Sequence, residues 1–335
     1  MSNPLWIVLV NYNGLEDTRR CLQSLVIQSV PVSIVVVDNA SRIDPATVLA
    51  PEFPGVDFVQ TGINGGWAGG NNAGLRHALE SGAESIVLLN NDTVVSVDFA
   101  ARLIEAANKH PEFGILGPVI RFMEPPCEIQ TDGVLFNRPG QPGFFQRFPV
   151  PLTTTEPPTV AEVDIVNGCC LLVRRAVIEK IGLIDEAFFL IHEESDFCLR
   201  AQDAGFKNGV IAEALVWHKG SSSFQREGKR LQRYFDARNL IRLLSRHGHR
   251  RGNRGWFRSF LHHAHYSYHR YSAEREHGFD DSAMAVLEGL YDGVRGQYGP
   301  MPSRVRPGLW LLQALFSLGW WLKRGRVGVD PISPT

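Results

Sequence analysis

Trp6-Ile-Val-Leu-Val10, Ser33-Ile-Val-Val-Val37 and Ile86-Val-Leu-Leu89 decide the fold class. Each is a short, unbroken apolar run rich in β-branched residues. A strand with one wet face would alternate, so these runs read as strands buried on both faces, the pattern of a parallel sheet. Residues 15–28 place Thr18, Cys21, Leu22, Leu25 and Val26 at helical spacing. Residues 71–81 do the same with Leu75, Ala78 and Leu79, ahead of the stop signal Gly82. Strand, helix and strand in repetition predict a doubly wound α/β sheet, and such sheets bind ligands at the carboxyl ends of their strands. The residues following the three strands are Asn11, Asp38 and Asn90-Asn91-Asp92, all polar.

The chain of 335 residues carries 34 Lys+Arg against 35 Asp+Glu, a formal net charge of −1, and is 44% hydrophobic and 21% charged. That is ordinary globular composition, and the balance argues against a dedicated nucleic-acid partner. Five cysteines with no C-x-x-C pair make no disulfide framework. Cys169 and Cys170 are adjacent within an apolar run, so buried thiols and a cytoplasmic location are expected. No basic stretch precedes the apolar residues 5–10, so no signal peptide is expected there. The longest apolar run, residues 309–322, falls short of the ~20 residues a membrane-spanning helix needs.

From 125 to 158 the chain is proline-rich and aperiodic, which predicts a long loop or hairpin excursion over the site. A strand is expected over 164–173, a helix over 174–181, a helix over 193–204 and a strand over 210–217. Between Arg226 and Arg258 stand eleven Lys/Arg and only two acids, with Leu231, Tyr234, Phe235, Ile241 and Leu244 spaced as a helix's apolar face. These patterns divide the chain into an α/β domain over 1–225, a basic helical extension over 226–326 and a disordered tail over 327–335.

Several residues invite chemistry, each beside a blander reading. Asp38 can accept hydrogen bonds from a ribose or base edge, or cap the turn Asp38-Asn-Ala-Ser41. Asp92 can hold a divalent metal beside a diphosphate; Ser96 is better placed to cap the helix expected near Val97. Asn64-Gly-Gly-Trp-Ala-Gly-Gly-Asn-Asn72 can bring Asn64, Gly65 and the N–H groups around them to a phosphate or sugar, or be a tight loop capped by Asn71. Glu193, Glu194 and Asp196 crowd a helix start, more charge than capping requires, so one can be a general base. His218 ends a strand, where it suits a borderline metal such as Mn²⁺. His262, His263, His265 and His269 have no acids near them and read as a solvated or interfacial helix face.

Taken in order, Val8-Leu-Val-Asn-Tyr-Asn13, Val35-Val-Val-Asp-Asn-Ala-Ser41, Asn64-Gly-Gly-Trp-Ala-Gly-Gly-Asn-Asn-Ala-Gly74 and Leu88-Leu-Asn-Asn-Asp92 resemble family 2 inverting glycosyltransferases, above all the rhamnosyltransferase-like branch. Gly182-Leu-Ile-Asp-Glu186, Phe188-Phe-Leu-Ile-His-Glu-Glu-Ser-Asp196, Trp217-His-Lys-Gly220 and residues 234–239 continue the resemblance, which covers about residues 5–245. It implies a GT-A fold, a doubly wound mixed sheet with a nucleotide-diphosphate sugar across its carboxyl edge. Asp38 then falls on the nucleoside contact and Asn90-Asn91-Asp92 on the D-x-D motif, with Asn in place of the first acid. Asp92 and His218 fall on the ligands of Mn²⁺ or Mg²⁺. Glu193-Glu194 falls on a Glu-Asp pair whose second acid is the base, which makes Glu194 that base, one methylene longer. Asn11, Asn64, Gly65, Asn90 and Asn91 become donor contacts, and Glu193, Asp196 and Trp67 secondary candidates on the acceptor side.

The implied reaction moves a sugar, with dTDP-rhamnose as first choice of donor, to a saccharide or lipid-linked saccharide in cell-surface polysaccharide synthesis. UDP-galactose, UDP-glucose and galactofuranose donors are the alternatives. A binding protein without catalysis is the rival of another class, raised by Asn90 and the altered Glu-Asp pair. A nucleotidyltransferase would need a glycine- and lysine-rich segment after the first strand, which Val10-Asn-Tyr-Asn-Gly14 lacks. The basic helix, and the 309–322 run with Trp310, Trp320 and Trp321 between Arg304/Arg306 and Lys323/Arg324/Arg326, suggest peripheral contact with the inner face of a membrane. A helix packed on the core is the alternative for that run.

Overall fold

The β-branched runs do become the middle of a sheet. The structure, a computed structural model, describes residues 5–138, 144–153, 159–220, 229–251 and 255–324. The chain divides into two compact units, residues 1–222 and 223–335.

Among its described residues the first unit carries twelve strands: β1 (Leu5–Asn11), β2 (Val32–Asp38), β3 (Val56–Gln60), β4 (Ser85–Asn90), β5 (Thr93–Val95), β6 (Phe113–Phe122), β7 (Ile129–Thr131), β8 (Val134–Phe136), β9 (Phe145–Arg147), β10 (Val160–Val163), β11 (Cys170–Arg174) and β12 (Lys207–His218). Its helices are α1 (Leu15–Leu25), α2 (Pro45–Leu49), α3 (Gly66–Glu80), α4 (Phe99–Lys109), α5 (Arg175–Ile181) and α6 (Glu193–Asp203). The main sheet runs β10-β12-β6-β11-β4-β1-β2-β3, with β5 on β12 and β7 on β6. Strands β3, β2, β1 and β4 are parallel, and β11 is antiparallel to both β4 and β6, so the sheet is mixed. The proline-rich excursion includes the two-stranded β8–β9 hairpin.

The buried core is built from the sheet's own side chains, Ile7 and Leu9 of β1, Val36 of β2 and Val87 of β4, with Leu22 and Leu25 of α1 laid against them. On the opposite face, α3 approaches the sheet through glycine. A Cβ on Gly70 would stand 2.6 Å from Val10 and one on Gly74 2.2 Å from Val8, so the helix packs where no side chain fits.

Three local expectations are corrected. Helix α3 starts at Gly66 rather than at Asn71, which lies inside the helix and donates to the Trp67 carbonyl at 2.9 Å. Helix α4 starts at Phe99, and Ser96 does not cap it: its carbonyl accepts from the Phe99 N–H at 3.1 Å while its hydroxyl is buried without a partner. Of the strand expected over 164–173 only the end forms, as β11 from Cys170, while β10 stops at Val163 on a different neighbour. Asp164 breaks the run by accepting from the Phe136 N–H at 2.8 Å and from Arg138.

The second unit is helical: α7 (Lys229–His247), a 3₁₀ turn (Gly248–Arg251), α8 (Gly255–Glu276), α9 (Asp280–Val294) and α10 (Leu309–Arg324). Its core joins Ala237, Tyr271, Val286 and Leu287 to Leu309, Leu312 and Phe316. The basic helix is not the solvated cationic face its composition suggests. Arg230 pairs with Glu288, Arg233 with Glu274, and Arg238 is fully buried beside Asn239. The histidine group is likewise divided, because His263 is buried against the Ala237 carbonyl at 2.9 Å. The tail over 327–335 lies outside the described residues.

Candidate active site

Four strands end on candidate site residues: β1 on Asn11, β2 on Asp38, β4 on Asn90 and β12 on His218. The parallel register pairs Asn11 with Asp38 and Val10 with Asn90, which puts these polar ends along one edge of the sheet.

Asp92 and His218 come together because β5 runs antiparallel to β12 with Thr93 opposite His218. His218 Nε2 lies 3.0 Å from Asp92 Oδ1, both residues being buried. On the other side of the ring, Nδ1–H donates to Gln130 Oε1 at 2.9 Å. That contact fixes the ring's orientation and turns Nε2 toward the carboxylate. An imidazole nitrogen 3.0 Å from a carboxylate oxygen can share a cation with it, a proton or a divalent metal. One carboxylate and one imidazole suit Mn²⁺ or Mg²⁺ with oxygen ligands from a diphosphate completing the shell. Among the described residues no group of three or more metal-ligating side chains occurs.

Asp38 is buried, with Asn11 Nδ2 donating to it at 3.2 Å and the Ser41 N–H at 3.2–3.3 Å. Turn chemistry and a carboxylate at the strand end therefore coexist at Asp38. Asn11 is a positioning residue, since its amide also donates to Ser41 Oγ and its carbonyl accepts from Thr18 and Gly14. Asn91 is held the same way, donating to Thr18 Oγ1 at 2.8 Å.

The glycine/asparagine segment corrects an expectation. The Gly65 N–H donates to Asn39 Oδ1 at 3.0 Å and the Gly66 N–H to Asn64 Oδ1 at 2.9 Å, so neither is aimed at a phosphate. Asn39 ties the segment to β2 by also donating to Asn64 and to the Gly66 carbonyl.

Glu194 stands half-buried in the first turn of α6, accepting from Ser195 Oγ at 3.0 Å. Trp67 donates its indole N–H to Asn90 Oδ1 at 3.0 Å. Gly168 brings these two groups side by side: a Cβ there would lie 3.2 Å from the Glu194 side chain and 3.5 Å from the Trp67 ring. The approach to α6 passes through Phe189, Ile191 and His192, all with positive φ. Phe145 of β9 stacks flat on His192, ring centres 5.0 Å apart. Glu193 is buried. Asp196 is fully buried and ion-paired with Arg200 at 2.8 Å, which removes it from the acceptor side.

Sequence reading missed Asn39, Asn72 and Gln130. Asn39 lay inside a quoted turn, and its partners came only with α3. Asn72 holds the Ile184–Glu186 stretch through both ends of its amide. Gln130 sits in an aperiodic stretch with no local signal. The expectation of buried thiols holds for Cys21, Cys169, Cys170 and Cys198, while Cys127 is half-buried.

Known proteins resemble this chain along most of its length. The glycosyl transferase family 2 model matches residues 6–182. The low-salt glycan biosynthesis hexosyltransferase Agl10 of Haloferax volcanii is 28% identical over 243 residues, covering 71% of this chain and 75% of that protein. The dTDP-rhamnosyl transferase RfbF of Shigella flexneri is 26% identical over 257 residues, 73% and 81%. The N-acetylglucosaminyl-diphospho-decaprenol L-rhamnosyltransferase of Mycobacterium tuberculosis is 26% identical over 280 residues, 78% and 89%. Among solved structures, residues 1–349 of S. aureus TarS with UDP align with a TM-score of 0.52 at 16% identity, covering 99% of this chain and 94% of that one. The mannosyltransferase PcManGT of Pyrobaculum calidifontis, with GDP-Man and Mn²⁺, aligns at 0.53 and 15% identity, 97% and 84%. With a mixed sheet of GT-A type and a family match over more than half its length, this chain belongs to glycosyl transferase family 2 and is a glycosyltransferase.

Proposed function

We propose that the enzyme transfers L-rhamnose from dTDP-rhamnose, with inversion, to a saccharide or lipid-linked saccharide in cell-surface polysaccharide synthesis. The Asp92–His218 pair at 3.0 Å carries the reading, because a carboxylate facing an imidazole nitrogen at the strand edge fits a nucleotide sugar that brings a divalent cation. Bound there, Mn²⁺ or Mg²⁺ would supply neutralisation of charge on the diphosphate leaving group. Asp92 and His218 would hold the cation, with Gln130 orienting the His218 ring. Asp38 lies two strand spacings from Asn90, about 10 Å, room for a nucleoside on one side and its phosphates on the other. Glu194 accepts the proton of the acceptor hydroxyl as that oxygen attacks opposite the leaving group. Asn90 orients Trp67 beside Glu194 where a D-x-D acid would otherwise stand.

Rhamnose as donor sugar is supported by the Shigella and Mycobacterium relatives, both named for rhamnosyl transfer. The second of them also supports an acceptor on a lipid diphosphate, and with it peripheral contact at the cytoplasmic face of a membrane. A UDP-hexose donor is the second reading, favoured by the Haloferax hexosyltransferase and by UDP in TarS. Calorimetry with dTDP-rhamnose, UDP-galactose, UDP-glucose and GDP-mannose, each with Mn²⁺ and with chelator, separates the donors. The rhamnose reading expects dTDP-rhamnose to bind tightest and to weaken on chelation; preference for a UDP-hexose would overturn it. Glu194→Gln should lose turnover by about 10²–10⁴ while binding donor normally. Unchanged turnover would remove Glu194 from the base role.

A further inference from the structure

Helix α10 covers the second unit's core with one face and turns a second apolar face outward. Leu309, Leu312 and Phe316 pack inward, Phe316 edge-on to Tyr271 and Tyr268, and Ser317 meets the Tyr271 hydroxyl at 3.0 Å. Outward, Trp310 is 66% exposed, Leu315 68% and Trp321 67%, with Leu311 and Leu318 between them. These positions recur at helical spacing and make one continuous stripe. Scattered exposed leucines need no explanation, but a stripe bounded by two tryptophans on a single helix does.

Charge says what covers it. From residue 293 to 329 the sequence holds no Asp or Glu, against Arg295, Arg304, Arg306, Lys323, Arg324 and Arg326. Arg306 is consumed internally by Asp292 and Glu288. Arg304 also lies 3.6 Å from Asp292 but keeps its side chain half-exposed, and with Arg295 it lines a groove of about 380 Å³ immediately before α10. A second copy is a poor occupant. Pairing two α10 stripes, parallel or antiparallel, sets basic ends against basic ends with no acid in the segment to offset them. An anionic lipid surface offers both halves of the match: acyl chains for the stripe and headgroup phosphates for the arginines, with tryptophans at the boundary. Among the described residues no helix is long and apolar enough to cross a membrane, so the helix lies in the surface plane.

We propose that the outer face of α10, with the Arg295/Arg304 groove at its start, docks this enzyme on an anionic phospholipid surface. The basic helix α7 is not the docking element, because its arginines at 230, 233 and 238 are paired or buried within the unit. The proposal deepens the lipid-linked acceptor reading by naming the surface that brings the site to such an acceptor, and it uses no catalytic residue.

The test is co-sedimentation of the full chain, without nucleotide sugar, with vesicles of phosphatidylcholine alone or mixed with phosphatidylglycerol, alongside sedimentation velocity without lipid. The expected result is salt-sensitive binding to the phosphatidylglycerol vesicles and a blue shift of tryptophan emission. The triple variant Trp310→Ser/Leu315→Ser/Trp321→Ser should bind at least about tenfold more weakly, with unaltered circular dichroism and unaltered transfer to a water-soluble acceptor. Arg295→Gln/Arg304→Gln should lose the preference for phosphatidylglycerol, and Ile27→Ser, an exposed apolar residue of the first unit, should change nothing. Absence of binding, a triple variant that binds like the parent, or a lipid-free dimer abolished by the triple variant would each overturn it. Because binding is measured without donor and transfer without lipid, failure of docking and failure of the rhamnosyl reading are separate results.

Discussion

A methyl group at Gly66 would stand 2.2 Å from the Phe189 carbonyl oxygen, on a backbone with φ of +68°. Gly69, in the same helix, has nothing within 4 Å of its Cβ direction. Gly66→Ala should therefore destabilise the protein by roughly 2–5 kcal/mol, and Gly69→Ala should be neutral or stabilising by up to about 1 kcal/mol. Urea unfolding of the two variants checks the contrast; equal stabilities would refute the close approach of Phe189. The thiols offer a second test on single side chains. Burial pushes Cys21 up to about 12, and burial pushes Cys198 up to about 12 as well, so both stay protonated at neutral pH. A disulfide reagent should modify Cys127 alone in the native protein and all five cysteines after denaturation. Rapid native reaction of two or more would contradict the buried assignment.

The β8–β9 hairpin owes its place to a carboxylate rather than to apolar packing alone. Asp132 is buried, which raises its carboxyl, but Arg147 bonds both its oxygens at 2.8 and 2.9 Å and the Gly133 and Val150 N–H groups add to it, with a net lowering. A depressed folded-state value means stabilisation present above the unfolded value near 3.9 and lost as pH falls through the lower folded value. Hydrogen-exchange protection of Phe145–Arg147 should accordingly hold at neutral pH and collapse in acid below about pH 4. Asp132→Asn should show the acid-like exchange already at pH 7; full protection in that variant would assign the hairpin's stability elsewhere. Since Phe145 stacks on His192, two residues before Glu194, this hairpin also borders the proposed base.

Across the whole molecule, the proposed cation site draws on Asp92 and His218 among the described residues, so nucleotide and metal should stabilise it together and neither well alone. At a hundred times its dissociation constant a ligand adds about 2.7 kcal/mol to the folded state. Thermal unfolding should rise by several degrees with dTDP and Mn²⁺ combined. An equal rise with Mn²⁺ alone would mean further protein ligands, and a rise with dTDP that ignores chelator would remove the metal from the site.

Most of the sheet was legible because local composition and burial agree in it. The runs at 6–10, 33–37 and 86–89 have no amphipathic alternative, and strand ends fall where polarity returns. Boundaries failed where a side chain found a distant partner. Asp164 was swallowed by a strand expectation because Phe136 and Arg138 are far away in sequence, and Asn71 looked like a cap because Gly66, with its left-handed backbone, opens the helix earlier. Among the site residues, Asp92 and His218 were legible separately, each as a polar residue after an apolar run. Their meeting required β5 to turn back along β12, and the orienting Gln130 required β7 to lie on β6. The basic stretch shows the reverse case: its composition suggests a membrane contact, whereas Glu288 and Glu274, contributed by later helices, pair with Arg230 and Arg233 inside the unit. Linear patterning therefore determines which segments are buried and where polarity breaks out. Which polar groups then face one another, and so which are catalytic candidates and which are structural, is decided by long-range pairing, because a carboxylate's role depends on its neighbours' charge and not on its own flanks.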